Sequence, residues 1–241
     1  MKLKIVNTGS EANGYILQPS TPEGTAIAIE AGCPFLEAAK ALNFDVSKLR
    51  AVFISHEHQD HAKKIKEWIA AGLQIVASNG TLEAIQAKTP GGWYKAIKAG
   101  REPVKIEEWR AAAFNTVHDA AEPTGFLFKH PEAKVLFLTD SGRIRLITNG
   151  VNCFIVECNW TFDELMQSND PQALKNRIMQ THTGLETLRE FFLVQGMQQA
   201  RKIVLIHASS RNCDIERAVK EIEAITGVPT YAARKGETIE F

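Results

Sequence analysis

The chain has 241 residues, 44% of them hydrophobic, enough to bury a substantial core as one large domain or two small ones. Its 28 basic and 28 acidic side chains cancel to a formal net charge of zero, which excludes a global field drawing it to nucleic acid or membrane, so any polyanion site has to be local. The N-terminus carries no apolar stretch of signal-peptide length, nothing later approaches a membrane span, and Cys33, Cys153, Cys158 and Cys213 form no CxxC pair, so the expectation is a cytoplasmic chain with reduced thiols.

In chain order, short β-branched runs at residues 3–6, 15–17, 26–29 and 51–54, separated by the turn-like NTGSEANG and PSTPEG, predict strands of an early sheet. Residues 35–42 carry apolar side chains at helical spacing, and residues 62–71 repeat the pattern with Ile65, Trp68 and Ile69 on one face. Residues 79–110 are the least regular stretch. The second half has a similar layout: strands over 113–117, 125–128, 135–138 and 153–156, helices over 174–179 and 185–194, a buried strand over 203–206 and a helix over 215–225. Strand-rich segments framed by helices in both halves predict a layered α/β arrangement of two facing sheets with helices outside. With no linker, repeat or low-complexity segment, residues 1–241 read as one domain.

The chemistry is densest in AVFISHEHQDH, where a short apolar strand runs into a polar loop and then a helix. His56 and His58, one residue apart, fall on one side of an extended strand end, while Asp60 and His61 lie in the following turn and can face a second metal. One cluster cannot complete two coordination spheres, so further ligands are expected at other strand ends. His118 follows AAAFNTV, Asp140 follows KVLFLT and His207 follows KIVLI, each at the C-terminal tip of an apolar run.

The order HxHxDH, strand-end His, strand-end Asp, strand-end His resembles the metallo-β-lactamase superfamily across nearly the whole chain. NTGSEANGYIL resembles the opening hairpin of its small nuclease-like members, IAIEAG the strand before the metal loop, and NTVHDAAEPTGFLF the third metal segment. Glu30 stands where an aspartate is usual. The resemblance implies a four-layer αβ/βα sandwich of two mixed sheets, with His56, His58 and His118 on one metal, Asp60, His61 and His207 on the other, and Asp140 bridging. Two such cations would activate a water without any protein nucleophile, with Asp60 orienting it or accepting its proton. The donor set admits zinc first, then manganese or iron.

His182, in MQTHTGLETLREFF, resembles the HST segment of ribonuclease Z and related phosphodiesterases, which implies protonation of the leaving group. VECNWTF resembles their HEAT segment, with Val156 replacing its histidine and Glu157 keeping its acid, while Trp160 reads as a packed aromatic. IHASSRN resembles HxSxRY, placing Ser209 and Arg211 to meet a phosphate, with Asn212 where an aromatic is usual. Arg143 and Arg145 would add positive potential beyond Asp140. Trp93, Tyr94, Lys95, Lys98, Arg101 and Lys105 either stack bases and follow phosphates or belong to an amphipathic lid or interface helix. The expected function is a two-metal phosphodiesterase or nuclease acting on DNA or RNA, with no membrane partner and a homodimer among the possible states. The alternatives are a thioester or lactone hydrolase and a non-catalytic binding protein.

Overall fold

The computed structural model describes residues 1–21, 23–86 and 91–241, so Pro22 of the PSTPEG turn and residues 87–90 of the least regular stretch lie outside the described residues. The chain groups into two compact units: Met1–Asn115, Ala120–Glu132 and Arg234–Phe241 form the first, Thr116–Asp119 and Ala133–Ala233 the second.

The first unit begins with β1 (Lys2–Asn7), β2 (Gly14–Gln18), β3 (Ala26–Ile29), α1 (Phe35–Ala41), β4 (Leu49–Phe53), α2 (Gln59–Ala62), α3 (Ile65–Ala70), β5 (Gln74–Ala77), α4 (Asn79–Gln86) and β6 (Tyr94–Ala96). The strands line up as β1-β2-β3-β4-β5-β6, antiparallel from β1 to β3 and parallel from β3 to β6. Side chains alternate across this sheet. Ile16, Ala28, Val52 and Ile75 join Ala38 of α1, Trp68 of α3 and Leu82 of α4 in one buried cluster. On the opposite face Phe53 meets Phe126 and Phe128 edge-on, with ring centroids 5.6 and 4.9 Å away. Those two rings belong to β9 (Thr124–Lys129), which pairs antiparallel with β8 (Trp109–Asn115), itself antiparallel to β7 (Val104–Ile106), at one end of the second sheet. Trp109 Nε1 donates to the Thr25 carbonyl at 2.7 Å, so its one polar atom is satisfied while the indole is fully buried.

The predicted helix over 62–71 is instead two short ones. The Ala31 amide donates to the His61 carbonyl and the Lys64 amide to the Ala31 carbonyl, and these ties to the end of β3 bend the chain between α2 and α3. The stretch 79–110 contains α4, β6, β7 and the start of β8. The expectation of an interface helix over residues 90–105 is corrected among the described residues: Tyr94–Ala96 pairs parallel with β5 and Val104–Ile106 antiparallel with β8.

The second unit is built on β10 (Lys134–Leu138), β11 (Cys153–Glu157), α5 (Phe162–Gln167), α6 (Gln172–Thr181), α7 (Leu185–Leu193), β12 (Lys202–Ile206), α8 (Ile215–Thr226) and β13 (Thr230–Ala232). Its four strands are parallel in the order β13-β12-β11-β10. Every residue of β11 is buried, as expected of a parallel strand covered on both faces. Phe154 packs on Phe191 and Phe192 of α7. The last strand, β14 (Thr238–Glu240), returns to the first unit as an antiparallel neighbour of β1. No helix among the described residues is long and apolar enough to cross a membrane.

Candidate metal centre

Strand register explains why candidate ligating side chains collect at one edge of each unit. In the first, Ile29 of β3 is level with Phe53 of β4, so Glu30 and the loop from Ser55 to His61 leave the sheet together. Glu30 is wholly buried and has φ of 65°, a left-handed conformation that a side chain tolerates only where its surroundings impose it. Its Oε2 accepts from the Ser55 amide at 3.3 Å and its Oε1 lies 3.4 Å from His61 Nδ1. Glutamate in the aspartate position therefore still reaches the histidine-rich loop.

His56, His58, Asp60 and His61 are brought together here, with ring centroids of His56 4.6 Å from those of His58 and 4.2 Å from those of His61. The Ser55 hydroxyl lies 2.9 Å from His56 Nδ1. His61 Nε2 is 3.1 Å from Asp60 Oδ2, which also accepts from Asn13 Nδ2 at 3.3 Å. The Asn13 amide donates to the Asp60 carbonyl at 2.7 Å, and Gly32 lies so close that a Cβ there would fall 1.8 Å from that oxygen. A bare backbone is what this approach permits.

In the second unit three adjacent parallel strands end level: Leu138 pairs with Val156, and Glu157 with Ile206. Their tips therefore set Asp140, Glu157 and His207 side by side, and Asp140 and His207 turn there at φ of 48° and 54°. Glu157 Oε1 accepts from His182 Nδ1 at 2.8 Å and from His207 Nδ1 at 2.9 Å, while its Oε2 accepts from the amides of Thr183 and Ser141. Asp140 Oδ1 lies 2.9 Å from His182 Nδ1 and 3.0 Å from His207 Nδ1. His118 donates from Nδ1 to the Thr181 carbonyl at 2.7 Å, and its ring centroid is 5.2 Å from that of His182. For His118 and His207, donation at Nδ1 leaves Nε2 as the lone-pair atom of the neutral imidazole, the arrangement of a metal-ligating histidine oriented by an outer partner.

Burial lowers the His118 imidazole below its ordinary value against the pull of Asp140. For His182 burial acts in the same direction, but attraction to Glu157 and hydrogen bonds to Asp140 and Glu157 outweigh it and raise the group to about 9. His182 is neither a solvent residue nor merely the cap of α6. Trp160 is packed, as expected, and also works locally: its Nε1 donates to the His182 carbonyl at 3.1 Å. Ser209 Oγ accepts from the Arg211 and Asn212 amides and thus shapes the turn, and the Arg211 guanidinium, largely exposed, lies 3.7 Å from Asp170. Asn13, Ser55 and Thr181 are supporting partners that sequence reading passed over, the first of them lying inside the NTGSEANGYIL segment.

The donor chemistry fits a divalent metal. Asp140, Glu157, His182 and His207 each place a ligating atom within 4.8 Å of the others, and all are at least largely buried, where clustered carboxylates and imidazoles call for a cation. In the first unit two buried imidazoles, His56 and His61, stand beside Asp60 and His58.

The sequence profile described as the β-lactamase superfamily domain matches residues 25–208. The chain is 24% identical over its whole length to the exodeoxyribonuclease WalJ of Streptococcus pneumoniae strain D39, covering 92% of that protein. Among solved structures, the metallo-β-lactamase fold protein YhfI of Bacillus subtilis aligns with a TM-score of 0.71 at 16% identity, covering 99% of both chains. Zn(2+)-bound PqqB of Methylobacterium extorquens aligns with a TM-score of 0.70 at 12% identity, covering 100% of both. The fold is thus the α/β sandwich expected, and the matched profile runs through both compact units.

Proposed function

The chain belongs to the β-lactamase superfamily, and from that premise we propose that it is a metal-dependent phosphodiesterase acting on nucleic acid, with residues 1–241 working as one hydrolase domain. The observation that carries this reading is the His182 imidazole held at Nδ1 by Glu157, 2.8 Å away. A thioester releases a thiolate, which leaves with less help from a positioned acid than the alkoxide that a phosphodiester releases. The relative named an exodeoxyribonuclease supports DNA as the polymer and an exposed end as the point of attack.

In this reading His56, His58 and His118 would hold one divalent metal, Asp60, His61 and His207 would hold the other, and Asp140 would serve both. When bound, such a pair supplies Lewis acidity that makes water nucleophilic at neutral pH and neutralises charge on the diester. Zinc is the proposed occupant, because imidazole and carboxylate without thiolate suit it and the fold accommodates it in PqqB. Asp60 orients the attacking water and takes its proton. His182 gives a proton from Nε2 to the leaving oxygen while Glu157 retains the one on Nδ1. Ser209 and Arg211 contact the phosphate, with Arg211 exchanging Asp170 for it. We place the activity in the cytoplasm, where the four free cysteines stay reduced.

The test is one preparation purified with its metals, quantified by elemental analysis and assayed on bis(p-nitrophenyl) phosphate, a thioester and a lactone. Two metals per chain and diester cleavage lost in Asp60→Ala support the proposal. Activity confined to the thioester or lactone overturns it, and metal-free inert protein favours a binding role.

A further inference from the structure

Beyond Asp140 and Ser141, between β10 and β11, the second unit carries an irregular segment that the centre described above does not use. Exposure alternates strictly along it: Arg143, Arg145 and Ile147 are exposed while Gly142, Ile144 and Leu146 are half-buried. Such alternation marks an extended chain with both guanidinium groups on one side, two residues or about 6.6 Å apart along the backbone. The segment is fixed at both ends. At the start, Ser141 Oγ donates to the Arg143 carbonyl at 2.6 Å and accepts from the Val117 amide at 3.0 Å. At the far end, the buried Gln195 side chain accepts from the Thr148 amide and hydroxyl at 2.8 and 3.0 Å and donates to the carbonyls of Leu146 and Phe191.

A cavity of about 480 Å³ lies against this segment, lined by Arg143, Ile144 and Arg145 on one side and by Thr187, Glu190 and Val194 of the α7 region on the other. Neither arginine makes an ion pair or side-chain hydrogen bond among the described residues, in contrast to Arg177 on Asp119 and Arg217 on Asp163. Beside them Ile147 and Val194 remain 72% and 56% exposed, an apolar ledge next to two uncommitted cations.

We propose that Arg143 and Arg145 form a phosphate track that holds a single nucleic-acid strand as it passes Asp140, with Ile147 and Val194 as the ledge for its sugars and bases. The inference rests on the phosphodiesterase reading and adds the surface that grips the polymer. Two planar cations spaced along an extended backbone match successive phosphates, and Arg143 follows Asp140 by three residues. A preformed, doubly anchored segment loses little freedom on binding. Glu190 carries the opposite sign on the other side of the same cavity, so its removal should tighten the grip.

The experiment measures binding of a phosphorothioate-protected single-stranded oligonucleotide to the metal-loaded protein over a range of salt, beside cleavage of the unprotected strand. Arg143→Gln and Arg145→Gln should each reduce the slope of log affinity against log salt by about 0.7, additively in the double variant and equally for unrelated sequences. Arg143→Lys and Arg145→Lys should keep the slope, and Glu190→Gln should raise affinity. If the wild type binds and cleaves the strand while both glutamine variants keep its affinity and slope, the track is wrong and the phosphodiesterase reading stands. If the wild type neither binds nor cleaves nucleic acid, both fall.

Discussion

The two donor sets are held by different means. In the first unit His56, His58, Asp60 and His61 come from six consecutive residues, and backbone contacts from Asn13, Ala31 and Gly32 fix their loop. In the second, His118, Asp140, His182 and His207 span ninety residues of sequence (118 to 207 inclusive), and one buried carboxylate, Glu157, gathers two of the imidazoles. The first set depends on local chain geometry, whereas the second depends on three parallel strands ending level. Loss of one ligand should therefore look alike in both, while loss of the supports should not.

The largest effect is expected from the proposed ligands themselves. His56→Ala and Asp140→Ala should each lower diester cleavage by about 10³-fold or more, the scale of removing a preorganised electrostatic stabiliser. Each should also lower the metal content measured by elemental analysis. If one of them keeps full activity, the two sets do not serve a common reaction and the two-metal reading is lost.

Next come the supports. Glu157→Gln removes the charge that two Nδ1 protons share but keeps the side chain's volume, and should reduce metal affinity or activity by about 10- to 100-fold, as for other outer-shell partners. In the first unit Glu30, the buried carboxylate behind the loop, reaches one imidazole, His61. Glu30→Gln should therefore cost less than Glu157→Gln when metal affinities are measured by competition with a chelator. The reverse order would show that the loop, and not the strand edge, is the more dependent half.

The same contrast explains what could be read from sequence. HxHxDH is legible because its chemistry is contiguous, and the strand ends at His118, Asp140 and His207 because each follows an apolar run. The sandwich was legible from runs with clean periodicity, such as KIVLI, whose observed strand is Lys202–Ile206. Strands β5, β6, β7, β13 and β14, each three or four residues long, were not, since so short a segment owes its conformation to pairing partners distant in sequence. Helix α5 opens with an exposed Phe162 and buries Leu165 alone, too little apolar pattern to register. Glu157 was visible as an acid. That it accepts from two imidazoles depends on the level ends of β11 and β12, which only the register of the folded sheet reveals.

Two glycines refine the comparison further. Gly32 lies under the Asp60 carbonyl and Gly142 under the Gln180 carbonyl, where an added Cβ would fall 1.8 and 1.7 Å from oxygen. Gly32→Ala and Gly142→Ala should each destabilise by about 1–3 kcal/mol in denaturant titrations, the usual scale of overpacking. Gly32→Ala should in addition loosen metal, because the displaced carbonyl belongs to a proposed ligand. In Gly142→Ala the displaced carbonyl is two residues before His182, so the expected signature is loss of diester cleavage with less loss of metal.

The smallest effect sets the scale against which the others are judged. Asp214 caps α8, its side chain accepting from the Arg217 amide at 3.0 Å, and its negative charge lies at the positive end of the helix dipole. Asp214→Ala should cost about 1 kcal/mol of stability and lower the thermal midpoint by a few degrees with no change in metals per chain. Both Asp214 and Glu157 are in the second unit, so this variant measures what a modest loss of stability there does to metal binding by itself. If Asp214→Ala sheds as much metal as Glu157→Gln, then Glu157 acts through the stability of its unit, and its hold on His182 and His207 explains nothing further. If Asp214→Ala is less stable yet fully loaded, the loss in Glu157→Gln belongs to the two imidazoles it orients.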